Sequence, residues 1–381
     1  MTDAASRVLE WPFYEAYHRE VVEWADAWCA ANPATADADV DTACRALVCS
    51  LGASPLLRLV NPFHAIGYQM RSLALIRERL ARHNGLADFA FAMQGLGFGS
   101  IVDSGSPEQK AEWGPRVAQG EAIAAFALTE PECGSDAANI AMTARQDGDR
   151  WLLDGEKTYI SNGTIGDVLT VFARTGEPGA KGISAFLVRG NDAGLTVTER
   201  IEVIAPHPLA RLKFEGVQAE LIGEPGEGFA IAMRTLNRFR VTVAGAALGF
   251  ARRALDEALA FTATRRLGSG TLADNSVTQA TLADMATGID ASALLIARAA
   301  WAQDQGDQDT RRFAAMAKLH ATEQAQQVID AAVQLHGGLG VTRGAKVEEL
   351  YREIRALRIY EGASEVQRQI IARDLLKEHR A

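Results

Sequence analysis

A single glutamate near the end of the chain has the surroundings of a general base. Glu361 lies in RIYEGASEVQRQIIARDLL (358–376), followed by Gly362 and then by Ser364 and Gln367 at the spacing of a capping box. A capping box starts a helix, because each of its side chains satisfies a backbone amide that the first turn leaves without a partner. The pattern predicts a helix from Ser364 onward and a short connector that holds Glu361. A carboxylate fixed between two helices can be aimed at a bound molecule, and the neighbouring glycine lets that molecule come close. Proton abstraction is the chemistry that suits it. An exposed glutamate beside a helix cap would have the same local sequence, so the rest of the chain has to decide.

Two strings in the middle carry binding chemistry. FALTEPECGSD (126–136) gathers Thr129, Ser135 and a glycine after a β-like run, and KTYISNG (157–163) sets Tyr159 ahead of Ser161 and Asn162. Each offers hydroxyls and bare amides, which suit a phosphate or a polar ring edge, and each alone is also an ordinary polar turn. Neither GxGxxG nor GxxxxGK[ST] stands at a strand-to-helix junction, so the usual dinucleotide and phosphate-loop fingerprints are excluded. No metal-ligand spacing is present.

These residues need a scaffold, and the chain changes texture twice. Residues 1–120 read as an N-terminal helical domain: VVEWADAWCAAN, DVDTACRALVCSLG and YQMRSLALIRERLARHN carry apolar residues at helical spacing. Residues 121–225 read as an antiparallel β domain, from RWLLDGEKTYI, DVLTVFART, KGISAFLVR and GLTVTERIEVI between Asp-Gly and Gly-rich turns. Residues 226–381 return to the helical period in long runs, 229–264, 277–304, 309–336 and 345–357 before the capped last helix, which predicts a four-helix bundle. The fold class is therefore α+β multidomain.

With 381 residues and 48% apolar content the chain can bury large cores. A net charge of −9 excludes the clustered cation excess that nucleic acid or an anionic membrane surface requires. No apolar run is expected to span a bilayer, and MTDAASRVLEWPFYEAYHRE lacks the succession of a signal peptide or transit peptide. Cys29, Cys44, Cys49 and Cys133 show no disulfide framework, which points to a reducing cytoplasm; Cys44 and Cys49 are expected in helical cores.

It is the ordered set of strings that resembles a known family. FALTEPECGSD, KTYISNG, GEPGEGF (223–229), QLHGGLGVTRG (334–344) and IYEGASEVQR together look like the acyl-CoA dehydrogenase family of flavoproteins, over residues 120 to 376. Upstream, SPEQKAEWGPRVAQGE (106–121) is similar to the family's lead-in to its sheet domain. The resemblance implies FAD between sheet domain and bundle. Phe126, Leu128, Thr129, Ser135, Tyr159, Ile160 and Ser161 would contact the flavin or its phosphates, with Thr129 and Ser161 at the ring edge. Glu361 matches the family's base, which takes the α-proton of an acyl thioester while the β-hydrogen leaves as hydride to the flavin, giving a trans-2-enoyl thioester. Enolate charge would be met by the backbone amide of Glu361 and a flavin hydroxyl, and burial would raise the carboxylate's pKa. Some branches place the base where this chain has Phe239, which leaves Glu361.

Other positions follow from the same resemblance. Asn237 and Arg240 fall where the family contacts pantetheine or acyl chain, and Ser135 and Gly362 join that substrate set. Arg265 matches a cation for the FAD pyrophosphate, while Gly268 and Asn275-Ser276 replace an aromatic and a Phe-Gln pair. Gln334, Gly337 and Gly338 match the segment that receives a neighbouring subunit's FAD, and Ser364 and Glu365 complete the cofactor set. His336 and His207 read as structural. The apolar stretch LADFAFAMQGLGFGS (86–100), without Arg or Lys, suggests pocket walls for an uncharged acyl group. The implied partners are an acyl-CoA or acyl-carrier thioester, an electron-transfer flavoprotein and further copies of the chain as homodimer or homotetramer. A carrier-protein tailoring enzyme, an oxidase or nonstandard eliminating member, and a flavin-poor binding protein are the competing readings.

Overall fold

The computed structural model describes residues 7–33, 39–60, 68–148 and 150–380. In chain order the main elements are α1 (Ala16–Ala31), α2 (Val40–Gly52), α3 (Leu56–Val60), α4 (Met70–His83), α5 (Gly85–Ser104) and α6 (Pro107–Ala118). Seven strands follow: β1 (Ala124–Ala127), β2 (Thr143–Asp147), β3 (Arg150–Ser161), β4 (Val168–Arg174), β5 (Ile183–Arg189), β6 (Leu195–Arg200) and β7 (Leu209–Ile222). The chain ends in α7 (Gly228–Thr264), α8 (Ser276–Asp304), α9 (Thr310–His336), α10 (Lys346–Leu357) and α11 (Ser364–Arg380). The order of helices, strands and helices is the one the sequence predicts. Two compact units emerge, one of Met1–Ala34, Gln69–Asp88 and Arg240–Ala381, the other of Thr35–Tyr68 and Phe89–Phe239.

The second unit is built on strands. β4 pairs with β2, β2 with β3, β3 with β7, β7 with β5, and β5 again with β4, so the sheet closes on itself. Closure removes the open edges that a sheet must otherwise protect. Its core gathers Ala125, Met142, Leu153, Ile160, Val171 and Phe186 among other buried side chains. The pairings are antiparallel except for β1 with β4 and a single β2–β4 contact, which are parallel. β1 is buried at all four positions, as strands covered on both faces are. α5 is fastened to this sheet by polar groups: Gln94 accepts from the Ala124 amide at 2.9 Å and donates to the Ala122 carbonyl at 2.8 Å.

The first unit is helical, and α4 runs through its interior. Close approach to α7 depends on glycine, since a Cβ at Gly249 would lie 2.2 Å from the Glu78 carbonyl oxygen and one at Gly245 2.5 Å from that of Ala74. Three buried cations here each have a carboxylate: Arg71 with Asp304 at 2.7 Å, Arg77 with Asp88 at 2.7 Å, Arg252 with Glu78 at 2.9 Å. Pairing is what makes such burial tolerable. Gly249→Val is expected to force α4 and α7 apart and to cost about 1–3 kcal/mol, read as a lowered midpoint in thermal unfolding.

Two expectations are corrected. α5 and α8 are both long and apolar enough to cross a membrane by length and composition. In α5 the apolar window is 78% buried within the protein, so its apolarity is spent on core packing. Cys44 is buried as expected, but Cys49 is exposed on the opposite face of α2.

Candidate active site

The connector between α10 and α11 is heavily fixed, and Glu361 is its most strained residue. Glu361 has φ +51°, in the left-handed region where a side chain costs roughly 1–2 kcal/mol, and Gly362 follows at φ +93°. Such a conformation persists only where the surroundings over-determine it. Here they do. Lys318, fully buried in the middle of α9, donates to the carbonyl of Tyr360 at 3.2 Å and to that of Gly362 at 2.8 Å. From the other side Gln367 donates to the carbonyls of Gly362 at 2.7 Å and Glu361 at 3.4 Å. Ser364 donates to Glu323 at 2.5 Å, and Glu323 also holds Arg358 at 2.8 Å.

The expected capping box therefore does not form. Its two residues are spent elsewhere: the Ser364 hydroxyl on Glu323, the Gln367 amide on the connector's carbonyls. The last helix still begins at Ser364, and Ser364 is buried with its hydroxyl occupied, so it is not an open contact for a cofactor.

The Glu361 carboxylate faces inward. Its Oε2 is out of reach of solvent and has no hydrogen-bond partner among the described residues. Burial raises its pKa above the usual carboxylate range, Arg77, Lys318 and Arg240 pull the other way, and Asp88 adds to the rise. The same burial lowers its cationic neighbours. Lys318 falls to about 8 and Arg240 to about 10, each partly restored by the charge of Glu361. A desolvated carboxylate with a raised pKa, one oxygen of which has no hydrogen-bond partner among the described residues, suits a base near neutral pH.

In the second unit the two binding strings meet. β3 breaks register between Lys157 and Ile160, and Tyr159 stands in that bulge at φ +55° with 60% of its surface exposed. The Thr158 amide donates to the Thr129 carbonyl at 2.9 Å. Fully buried Lys157 donates to the Leu128 carbonyl at 3.0 Å and pairs with Glu130 at 2.8 Å. Glu130 in turn accepts the amides of Ala141 at 2.6 Å and Met142 at 3.0 Å. Asn162 locks the end of the second string by donating to the Ala124 carbonyl at 3.0 Å. Thr129 and Ser161 are half-buried and Ser135 is exposed, so their hydroxyls border the surface. Phe126, Leu128 and Ile160 bury their side chains, Ile160 within the closed sheet's core.

The remaining positions divide in the same way. Arg240 is buried within the first unit, while Asn237 is half-buried in the second. Arg265, Gln334, Gly337, Gly338 and Glu365 are all exposed. Asn275 has a structural use that the sequence reading missed: its side chain accepts from the amides of Val277 at 2.9 Å and Thr278 at 3.3 Å and caps α8. His336 stacks on Phe261 at 4.3 Å and its Nδ1 pairs with the Ala332 carbonyl, and His207 stacks on Phe89 at 4.4 Å, so both are structural. The two buried lysines were also missed. Lys318 falls on the buried face of α9 with Ala314, Ala317 and Ala321, and a lone charge on that apolar stripe marks the position without disclosing its partners.

Consecutive stretches of the chain match the family descriptions "Acyl-CoA dehydrogenase, N-terminal domain" over residues 14–121, "middle domain" over 125–217 and "C-terminal domain" over 226–376. The chain belongs to the acyl-CoA dehydrogenase family. A 3-(aryl)acrylate reductase of Clostridium sporogenes is 36% identical to it over 84% of this chain and 87% of that protein. The mitochondrial short-chain specific acyl-CoA dehydrogenase of Bos taurus is 41% identical over 75% of this chain and 71% of its own length. A glutaryl-CoA dehydrogenase from Mycobacterium smegmatis, solved in complex with FADH2, superposes with a TM-score of 0.86 at 26% identity, covering 95% of each chain. As a member of the acyl-CoA dehydrogenase family the chain is an oxidoreductase.

Proposed function

We propose that this chain binds FAD and dehydrogenates the Cα–Cβ bond of an uncharged acyl-CoA thioester to the trans-2-enoyl thioester, with Glu361 as the base. The observation that carries this reading is Glu361 Oε2, shielded from solvent and without a hydrogen-bond partner among the described residues, on a residue held in a left-handed connector. The second unit fits a flavin: an exposed tyrosine and border hydroxyls of Thr129, Ser135 and Ser161 stand on two loops tied to each other. When bound, FAD supplies the acceptor for the β-hydrogen as hydride. Glu361 removes the α-proton, and its backbone amide polarises the thioester carbonyl. Arg77, Lys318 and Arg240 offset part of the rise in the carboxylate's pKa that burial causes.

The further assignments follow the family pattern. Arg265, Gln334, Gly337, Gly338 and Glu365 are surface groups suited to the FAD of a neighbouring copy, which implies a homodimer or homotetramer. The three-part division at residues 120 and 225, a cytoplasmic setting, a place in fatty acid metabolism and an electron-transfer flavoprotein as acceptor belong to the same proposal.

Acyl preference is assigned to the face where Phe239 packs. Its ring would lie 2.9 Å from a Cβ at either Gly95 or Gly99, and it meets Tyr68 edge-on at 5.4 Å. This ring fills space above the glycines of α5. Phe239→Ala is expected to move the preference towards longer or bulkier acyl groups, measured as a change in the ratio of kcat/KM between a short and a longer thioester.

The reading is tested by mixing the holoenzyme without oxygen with short, branched, aryl and dicarboxyl CoA thioesters and following the flavin's long-wavelength band. Bleaching with at least one uncharged thioester and none with the dicarboxyl one is expected. No bleaching with any of them would overturn the assignment.

A further inference from the structure

We infer that Lys318 is a positioning residue for the base: from the middle of α9 its ammonium grips the carbonyls on either side of Glu361 and holds that residue in the left-handed conformation that aims its carboxylate. The inference rests on the assignment of Glu361 as base. Its geometry is specific. Lys318 has no exposed surface, and it spends its donors on Tyr360 at 3.2 Å and Gly362 at 2.8 Å, two carbonyls that flank one residue. A buried ammonium is a costly way to satisfy two carbonyls, since a neutral donor would do the same at less desolvation. The charge therefore has a second use. Opposite charge nearby favours the ionised carboxylate, and Lys318 is one of three cations that oppose the burial of Glu361.

The clamp comes from two helices, which is why it can hold a strained residue. Gln367 on α11 takes the carbonyls of Glu361 and Gly362, and Glu323, five residues along α9 from Lys318, takes the Ser364 hydroxyl. α9 thus fixes both ends of the connector, at Tyr360 and at Ser364. The charged groups that bear on this arrangement are Arg77 on α4, Asp88 at the start of α5, Arg240 on α7, Glu323 on α9 and Glu365 on α11. Removing the ammonium leaves Arg77 and Arg240 to oppose the burial of Glu361 and leaves the connector held by Gln367 on its carbonyls and by Glu323 on Ser364.

The test compares wild type, Lys318→Met and Lys318→Gln as holoenzymes, with Glu361→Gln alongside. Anaerobic flavin reduction is followed against pH, kcat and KM are measured separately, and amide exchange is followed over residues 358–363. Both Lys318 variants are expected to move the rising limb of the pH profile upward by about one unit, the effect of losing a nearby opposite charge. Lys318→Met is expected to lower kcat by about 100-fold, the usual result of a misplaced reacting group, with KM changed less than threefold and connector amides exchanging faster. Lys318→Gln keeps a neutral amide donor and is expected to recover part of kcat but not the pH limb; it also serves if the Met variant does not fold. A wild-type limb and kcat in the Lys318 variants, beside an inactive Glu361→Gln, would overturn the role of Lys318 alone. Full activity of Glu361→Gln would remove the base and this inference with it.

Discussion

Replacing Glu361 with glutamine is expected to abolish flavin bleaching on any timescale relevant to turnover while leaving the fold and the bound flavin in place. The amide has nearly the same shape, accepts the same contacts and cannot take a proton. General-base catalysis contributes about 10²–10⁴-fold, and the family resemblance implies no second base, since the position it gives to one in other branches is Phe239 here. The expected loss in the rate of flavin reduction is therefore at the upper end, about 10⁴-fold, measured by anaerobic rapid mixing. The sign of the pH dependence follows from the same carboxylate. Its pKa is raised, so the catalytically competent, ionised form is lost as pH falls through a value above the usual carboxylate range. Flavin reduction in the wild type should rise with pH across that window, and the rise should be missing from the residual rate of the glutamine variant.

The second large effect lies at Lys157. This lysine is fully buried, and burial brings its pKa down to about 8 in spite of the carboxylate of Glu130. It ties the Leu128 carbonyl of one binding loop to the strand that carries Tyr159. Lys157→Met strands Glu130 as a buried charge. Breaking a buried pair from one side costs about 3–5 kcal/mol, and the amides of Ala141 and Met142 that remain on Glu130 place the expected loss near 3 kcal/mol. The same change leaves the Leu128–Glu130 segment tied to β3 through the Thr158 amide on the Thr129 carbonyl. A lowered unfolding midpoint and weakened retention of flavin on gel filtration are expected together, while the double variant Lys157→Met with Glu130→Gln recovers most of the stability but not the flavin retention.

Helices and strands were legible because their periods differ sharply: α8, α9 and α10 begin within a residue of where the sequence places them, and so does β3. The parallel pairing of β1 was not legible, because apolar patterning reports which faces of a strand are buried and not the direction in which its neighbour runs. At the site, the sequence pointed to Glu361 through its neighbours Gly362 and Ser364, yet assigned Ser364 and Gln367 to each other. The structure gives them partners that local sequence does not contain, Glu323 some forty residues upstream and the connector's own carbonyls. Lys318 was invisible for the same reason: its role depends on contact with residues 42 and 44 positions away. Asn275 shows the opposite failure. A residue read as a lost cofactor contact is a helix cap, and short-range capping chemistry was enough to have found it.

The central claim is that Glu361 removes the α-proton. An acyl-CoA analogue with sulfur in place of the β-carbon has acidic α-hydrogens but no β-hydrogen to give up, so it isolates the base step from hydride transfer. In deuterium oxide the wild-type holoenzyme should exchange the analogue's α-hydrogens rapidly, and the Glu361→Gln enzyme, with its flavin still bound, should not. Equal exchange by the two enzymes would contradict the account.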